Sequence, residues 1–259
     1  MLMKPIIYTT LLSLLFTISL MAQSAFITKW KTTADGETIT IPTALGEIYN
    51  YTVDWGDGRS STGHTGNATH TYAAPGTHIV KITGNFPRIY FDNSDANKDK
   101  IIEVTQWGTQ VWKSMERAFY GCSKLNVTAT DAPNLSQVRS MFAMFSSATA
   151  FNGDLSSWDV SNVTNMSFMF NYATAFNRDL SNWKVGSVIN MSYMFRGARA
   201  FDKNLSSWDV SSVTNMESMF QDATAFNADI NNWDVSSVTT MAGMFRDATT
   251  FNRDLSNWD

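Results

Sequence analysis

The residues with the greatest chemical potential are methionines and aromatic residues that occur together in one repeated stretch. Residues 166–183 read MSFMFNYATAFNRDLSNW, and close copies follow at 191–208, 216–233 and 241–258. Thioether sulfur can bind copper, and aromatic rings can hold a cofactor. The residues of a ligand site, however, converge on one place and differ between units, whereas these recur unchanged. Methionine sulfur also packs favourably on aromatic rings, by about 0.3–1.5 kcal/mol per contact. The pattern therefore predicts a buried core ladder, with no cofactor.

Aspartates recur in the same register and are the most suggestive polar feature. Two series of equivalent positions carry them: Asp154, Asp179, Asn204, Asp229 and Asp254, and Asp159, Lys184, Asp209, Asp234 and Asp259. On stacked strands these carboxylates would lie about 4.8 Å apart. They would then either hold cations such as Ca²⁺ or accept hydrogen bonds from the amides of their own turns. Because no D-x-D-x-D-G calcium loop is present, the sequence favours turn capping and predicts no metal site.

No catalytic constellation is evident. His64, His70 and His78 lie close in sequence, but His70 and His78 belong to a strand motif, so a zinc site is the less favoured interpretation. H-E-x-x-H, G-x-S-x-G and P-loop motifs are absent. The single cysteine, Cys122, permits no internal disulfide and occupies a repeat position that otherwise carries alanine, which predicts an inert buried thiol. We expect a protein that is not an enzyme, with no catalytic, cofactor-binding or metal-binding residues.

The methionines, aromatic residues and aspartates lie in a repeat with a constant length of 25 residues. Phenylalanines from 151 and tryptophans from 158 recur every 25 residues, and pairs of valines and methionines keep the same step. Two degenerate and four regular units fill residues 101–259, and the last breaks off in mid-repeat, from which we expect a longer natural chain. V-x-x-M-x-x-M-F has helical spacing, and F-N-x-D-L-S-x-W has the rhythm of an extended segment. Because one unit cannot bury its apolar side alone, we expect an α/β repeat solenoid with one short strand and one short helix or 3₁₀ turn per unit.

Residues 25–100 follow a different pattern. Runs such as ETITIPT and IYNYTVDWGDG alternate apolar and polar residues between Asp-Gly and Pro-Gly turns, which predicts a small all-β domain of five to seven strands. YTVDWGDGRS at 51–60 and HTYAAPGTHIVKITG at 70–84 resemble the W-G-D-G and H-x-Y-x-x-P-G-x-Y-x-V motifs of polycystic-kidney-disease-type (PKD) domains, with His78 in place of the usual tyrosine. The resemblance implies a β-sandwich with Trp55 and Tyr72 in its core.

The repeats resemble a second family. AFYGCSKL at 118–125 resembles the A-F-x-G-C-x-x-L signature of BspA-like leucine-rich-repeat proteins of bacterial surfaces. The regular units, with NMSxMF and AFNxDLSxWDVSxVTNM, resemble the 25-residue variant of that family found in mollicute lipoproteins. The resemblance covers residues 101–259. It implies a right-handed, leucine-rich-repeat-like solenoid at the cell surface, in a group associated with adhesion and with binding to host or matrix components.

The N-terminus and the charge restrict the location and the partners. Residues 6–21 are mostly apolar, follow Lys4 and precede small residues, which predicts a secretory signal peptide over residues 1–24. The apolar run is short and broken by Thr and Ser, so it is a poor membrane anchor. We expect a secreted or cell-surface bacterial protein with no membrane insertion after signal cleavage. A net charge of −4 and a pI near 5.3 argue against nucleic acid as a partner.

We expect an extracellular protein or glycan ligand, bound where the repeats differ from one another. Variable positions between constant core residues can carry specificity without disturbing the core. The candidate interaction surface consists of Phe168, Tyr172, Arg178, Tyr193, Arg196, Glu217, Gln221, Asp222, Arg246 and Asp247. The alternative function is that of a carbohydrate-binding accessory region of a larger extracellular enzyme, which rests on the PKD-like segment.

Overall fold

The computed structural model of the chain describes residues 24–92 and 95–258, so the predicted signal peptide lies outside the described residues except for its last position. The described part contains eight strands and no helix, and hence no helix that could cross a membrane. The strands are β1 Phe26–Thr32, β2 Glu37–Ile41, β3 Asn50–Asp54, β4 Ser60–His64, β5 Ala68–Tyr72, β6 Gly76–Asn85, β7 Ile101–Gln106 and β8 Asn126–Val127.

The first six strands form the β-rich N-terminal region that the alternating pattern predicts. β1 lies between β6 and β7 in a six-stranded sheet of order β4-β3-β6-β1-β7-β8, and β2 pairs with β5 in a second sheet. Alternate residues of β1 face the core, with Phe26 and Trp30 fully buried. Trp55 and Tyr72 are buried as expected, and the Tyr72 hydroxyl donates to the Trp55 carbonyl at 2.8 Å. Burial of these aromatic residues holds the two sheets together.

Strand β7 joins this sheet to the repeats. It pairs antiparallel with β1 and parallel with β8, so that its two edges are hydrogen-bonded to different parts of the chain. Single parallel bridges, such as Asn165↔Asn190 and Asn190↔Asn215, then continue the pairing from unit to unit. Trp107 lies 5.6 Å from Phe26 and 5.2 Å from Trp158, measured between ring centroids. The sheet and the repeats therefore share one continuous core.

The expected α/β repeat solenoid is wrong, because the segment with helical spacing is not a helix. Its backbone N–H groups alternate between two kinds of partner. Those of Met166, Phe168 and Phe170 donate to carbonyls of the next unit at 2.9–3.0 Å, whereas those of Met169 and Asn171 donate three residues back. An α-helix would instead bond every N–H four residues back within its own segment. The i, i+3 spacing of the buried side chains thus arises from successive turns that are hydrogen-bonded to the neighbouring unit.

The expected strand around Leu155, Leu180, Leu205 and Ile230 is also absent from the described repeats, where these residues lie in turns and irregular backbone. Side chains satisfy the local N–H groups there. The Asn177 N–H donates to the Asn152 side chain at 3.0 Å, and the Ser181 N–H to the Asp179 side chain at 2.8 Å. Because polar side chains replace strand partners, this segment turns and does not extend. The asparagine bonds occur again between Asn227 and Asn252.

The prediction of a buried ladder is confirmed. In the unit that begins at Met166, the residues at the constant positions are at most 2% exposed: Met166, Met169, Phe170, Phe176, Leu180 and Trp183. Phe170 stacks on Phe145 and Phe195 at 5.8 and 5.5 Å, and on Phe176 of its own unit at 4.1 Å. Cys122 is fully buried, and burial raises the pKa of its thiol. Each unit thus contributes one layer to a packed column of side chains.

Candidate binding surface

Each unit places two residues in the left-handed region of the backbone. The first position, with φ of 50–66°, is taken by Arg117, Ala143, Phe168, Tyr193, Ser218 and Gly243. The second, with φ of 55–76°, is taken by Gly121, Ser147, Tyr172, Gly197, Asp222 and Asp247. Glycine adopts this conformation freely, whereas a residue with a side chain costs about 1–2 kcal/mol. Two successive units nevertheless carry three bulky aromatic residues at these positions.

These aromatic residues form a ridge across the units. Phe142 lies edge-on to Phe168 with ring centroids 5.6 Å apart, and Phe168 stacks on Tyr193 at 4.5 Å. The Tyr193 hydroxyl donates to the Glu217 carboxylate, and this bond raises the pKa of Tyr193 because the ionised phenol would lose it. We call the following residues the aromatic ridge: Phe142, Phe168, Tyr172, Tyr193, Arg196 and Glu217.

Arg196 is the cationic centre of the ridge. Its guanidinium carbon lies 5.5 Å from the Tyr172 ring centroid and 5.7 Å from that of Tyr193, so two rings of adjacent units hold it. Its Nε is buried and has no hydrogen-bond partner within the described chain. Gly197 makes room for this arrangement, since a Cβ there would lie 2.5 Å from the Tyr172 ring. The three side chains and the glycine are therefore fitted to one another.

The ridge extends toward the N-terminal sheet through residues that the sequence interpretation missed. The Arg117 guanidinium lies 5.6 Å from the Phe142 ring centroid, and its Nη1 donates to the Tyr90 hydroxyl at 3.0 Å. Arg88 lies 5.1 Å from the Tyr90 ring centroid and forms an ion pair with Glu116 at 3.3 Å. The 25-residue register offered one signal that could have found these residues. In the first degenerate unit, Arg117 occupies the position that Phe168 occupies in its own unit.

Of the ten residues predicted for the surface, the structure brings five together on the ridge and places five elsewhere. Arg178 is separate, since its Nε donates to a backbone carbonyl of the preceding unit at 2.8 Å. Gln221 and Asp222 lie one unit beyond Arg196. Arg246 and Asp247 are exposed and form an ion pair with each other at 3.4 Å, one unit further along. The variable positions therefore comprise one compact cluster and several isolated side chains.

Comparison with protein families identifies the repeats. Residues 87–204 and 178–259 match the family described as "Mycoplasma protein of unknown function, DUF285", and together these two matches cover more than half of the chain. The chain belongs to the DUF285 family. No curated protein and no solved structure matches it. The mollicute part of the sequence resemblance is thereby confirmed, whereas the comparisons provide no support for its BspA-like, leucine-rich-repeat and PKD parts.

The aspartate series of this DUF285 chain cap turns. Asp154, Asp179 and Asp254 each accept a hydrogen bond from the backbone N–H two residues later, at 2.8–2.9 Å, and Asp159 and Asp209 do so at 3.1 Å. The amide and hydroxyl donors lower the pKa of four of these carboxylates, Asp154, Asp159, Asp179 and Asp209. Among the described residues, no group of three or more His, Cys, Asp or Glu side chains could hold a metal ion. Turn capping is confirmed as the role of these aspartates.

The three histidines hydrogen-bond to three different side chains. His70 Nε2 lies 2.8 Å from Asp57 Oδ2, His64 pairs with Ser61 at 2.7 Å, and His78 pairs with Thr32 at 2.8 Å. The Asp57 pKa is lowered, because the hydrogen bonds from His70 and from a backbone N–H outweigh the burial that opposes them. Each ring thus has a separate hydrogen-bond partner, and the rings of His70 and His78 both contact the Tyr72 ring, at centroid distances of 4.6 and 3.5 Å.

The repeated tryptophans are structural as well. Trp183, Trp208 and Trp233 are at most 3% exposed, and each indole N–H donates to a backbone carbonyl 28 residues earlier, at 2.9–3.0 Å. Open grooves of about 350 Å³ lie beside Trp158 and Trp183, but polar residues such as Asp159 and Lys184 form their walls. The indole rings are therefore not accessible as platforms for sugars.

Proposed function

We propose that this DUF285 protein is a secreted or cell-surface binding protein whose aromatic ridge contacts a protein ligand. The observation that carries the proposal is the presence of Phe168, Tyr172 and Tyr193 at left-handed positions. Other units have Gly, Ser, Ala, Asp or Arg there, so the fold does not require aromatic residues. The left-handed backbone itself recurs in every unit, so what distinguishes these two units is the cluster of aromatic side chains beside an arginine. Clustered Tyr and Arg side chains are typical of binding hot spots.

The packing of the rings favours a protein over a glycan. A sugar binds an aromatic ring through the ring's face, but Phe168 and Tyr193 cover each other's faces at 4.5 Å, and Arg196 lies over Tyr172 and Tyr193. The ridge therefore offers ring edges and a guanidinium to a ligand. Apolar and carbonyl groups of a polypeptide can contact ring edges, which carry partial positive charge. Catalysis forms no part of the proposal.

The proposed location of the protein outside the cell is supported by the sequence. The apolar stretch at 6–21 supports export, and the resemblance of the repeats to BspA-like surface proteins supports display outside the cell. The PKD-like motif at 51–84 supports the same location, as an extracellular module. Within this proposal the N-terminal sheet is a platform on which the repeats begin, because β7 pairs with β1.

The test compares the protein with a triple variant, Phe168→Ser, Tyr172→Ser and Tyr193→Ser, in binding to immobilised extracellular-matrix proteins and glycans. Serine is the residue that Ser218 and Ser147 supply at these positions, so the variant retains the fold. Lys184→Asp is the matched control, since Asp209 occupies that position in the next unit. Loss of an aromatic hot spot weakens binding by about 2 kcal/mol or more.

We expect the protein and the Lys184→Asp control to bind at least one matrix protein equally, and the triple variant to bind it at least tenfold more weakly. Circular dichroism of the three proteins checks that the fold is unchanged. If no protein or glycan binds, or if the triple variant binds as tightly as the unmodified protein, the proposal is wrong. Binding to glycans alone would favour the carbohydrate-binding alternative.

A further inference from the structure

The aromatic ridge and its extension toward the N-terminal sheet carry two arginines, Arg196 and Arg117, that form no ion pair with a carboxylate of the described chain. Neither Arg117 nor Arg196 forms an ion pair within the described chain, in contrast to Arg88, which pairs with Glu116. Both guanidinium groups lie over aromatic rings, and both have a buried Nε without a hydrogen-bond partner in the described residues. Arg117 is also held by the hydrogen bond from its Nη1 to the Tyr90 hydroxyl. A guanidinium that is held in place by rings and has no carboxylate partner is prepared for a bidentate contact with a carboxylate, because its donors are fixed before binding.

The two arginines stand at opposite ends of the aromatic part of the ridge. Arg117 lies over Phe142, and Arg196 lies over Tyr193. Two ring-to-ring steps of 5.6 and 4.5 Å, by way of Phe168, separate these rings. An extended polypeptide advances about 3.3 Å per residue and presents every second side chain to the same side. Residues i and i+4 of such a segment are about 13 Å apart, slightly more than the two ring steps together. With residue i+2 above Phe168, the side chains of residues i and i+4 therefore extend past the outer rings, toward the two arginines.

We propose, on the basis of the binding function above, that Arg117 and Arg196 bind two carboxylate side chains of one extended acidic segment of a protein ligand, and that an apolar side chain between them contacts Phe168. Glu217 ends the site. Its carboxylate is bonded to Tyr193 and repels a further acidic residue beyond Arg196. The covered ring faces favour a polypeptide over an acidic polysaccharide, which would need a face on which to stack its sugar rings.

The test uses the peptide acetyl-Glu-Ser-Leu-Ser-Glu-amide as the probe, with the protein labelled with ¹⁵N and the arginine Nε–H resonances followed by NMR. We expect the resonances of Arg117 and Arg196 to shift on titration. The neutral peptide with Gln in place of both Glu should bind at least tenfold more weakly. Binding should also weaken as NaCl is raised from about 0.05 to 0.3 M, because the salt screens the charges.

Four variants separate recognition from general charge. Arg196→Gln should weaken binding about tenfold, and Arg196→Lys by an intermediate factor, because lysine keeps the charge but lacks the planar pair of donors. Glu217→Ser, which introduces the residue found at Ser192, should strengthen binding several-fold by removing a like charge. Arg253→Gln is the matched control, since its Nε donates to a backbone carbonyl at 2.7 Å and it lies off the ridge. This control should bind like the unmodified protein.

Several results would overturn the inference: equal binding of the neutral peptide, an effect of Arg253→Gln as large as that of Arg196→Gln, or no shift at either arginine. The same titration with oligogalacturonate tests whether an acidic polysaccharide binds instead of a polypeptide. Tighter binding of this probe with the same dependence on Arg196 would overturn the assignment to a protein ligand. If the peptide fails while a matrix protein still binds in a manner that depends on the three aromatic residues, the inference fails and the proposed function stands.

Discussion

The indole hydrogen bonds between units provide a quantitative test of how the repeats are held together. Trp208 donates its Nε1–H to the Leu180 carbonyl at 2.9 Å and is 3% exposed. Trp112, in the first degenerate unit, is fully buried, but its Nε1 has no hydrogen-bond partner within the described chain. Replacing each tryptophan with phenylalanine removes a similar volume from the same core. The difference between the two losses therefore combines the lost hydrogen bond at Trp208 with the relief of the unpartnered donor at Trp112.

The expected free energies follow from these contacts. A change from a large to a smaller core side chain leaves a cavity and costs about 1–2 kcal/mol at either site. Trp208→Phe also loses a hydrogen bond worth about 1 kcal/mol. The Leu180 carbonyl keeps its second partner, the Trp183 backbone N–H at 3.0 Å, so no further desolvation cost arises. Trp112→Phe removes a buried donor without a partner, which offsets part of its cavity cost. We expect Trp208→Phe to lose about 1–2 kcal/mol more than Trp112→Phe.

Urea unfolding followed by far-UV circular dichroism measures the free energy of unfolding of both variants without depending on tryptophan fluorescence. Trp183→Phe and Trp233→Phe serve as replicates, because both indoles make the same bond as Trp208, at 2.9 and 3.0 Å. They should agree with Trp208→Phe to within about 0.5 kcal/mol. Equal losses for Trp208→Phe and Trp112→Phe would refute the idea that the indole bond contributes to the association of the units.

Three further predictions follow from the described contacts. Asp209→Ala should cost about 1 kcal/mol and Asp209→Asn almost nothing, because both Asp and Asn can cap the turn; neither Ca²⁺ nor EDTA should change the Tm. Gly197→Ala should cost about 2 kcal/mol through left-handed strain and a clash with the Tyr172 ring, and Tyr172→Ser should relieve the clash. Hydrogen bonds from the Thr33 backbone and Lys100 lower the pKa of Glu37 to about 2. Glu37→Gln should therefore cost at most about 1 kcal/mol at pH 7, since surface pairs are screened, and the difference should vanish as the pH falls from about 4.5 to about 2.

Each of these three predictions has an outcome that would contradict it. A rise in Tm with Ca²⁺ that Asp209→Asn abolishes would show that the aspartates bind cations. If the loss caused by Gly197→Ala is the same with Tyr172 and with serine at that position, the two residues are not coupled. The Glu37 prediction follows from the sign of the shift: a carboxylate with a lowered folded-state pKa stabilises fully above its unfolded-state pKa, and this stabilisation is lost as the pH falls through the folded-state pKa. A difference that persists at pH 2 would rule out ionisation as its source.

The sequence predicted the buried residues well and the backbone less well. The 25-residue register correctly assigned Met166, Phe170 and Trp183 to the core, since any stacked arrangement must bury the positions that never change. It could not distinguish a helix from successive turns. Apolar residues at i and i+3 are compatible with both. The backbone turns because two residues per unit have positive φ, and aromatic residues such as Phe168 and Tyr172 do not indicate that conformation in a sequence. The glycines at these positions, Gly121, Gly197 and Gly243, were the clearest local signal.

The candidate surface shows a related limit. Aligning the units identifies which positions vary, but side chains from different columns and different units form the ridge. Tyr172 fits only because the next unit has Gly197, and Arg196 lies between rings of two units. The binding surface is therefore a property of the order of the units and not of any single one. Two units exchanged in sequence would keep the same core residues and lose the ridge, so the constant positions determine the fold while neighbouring variable positions together determine what is bound.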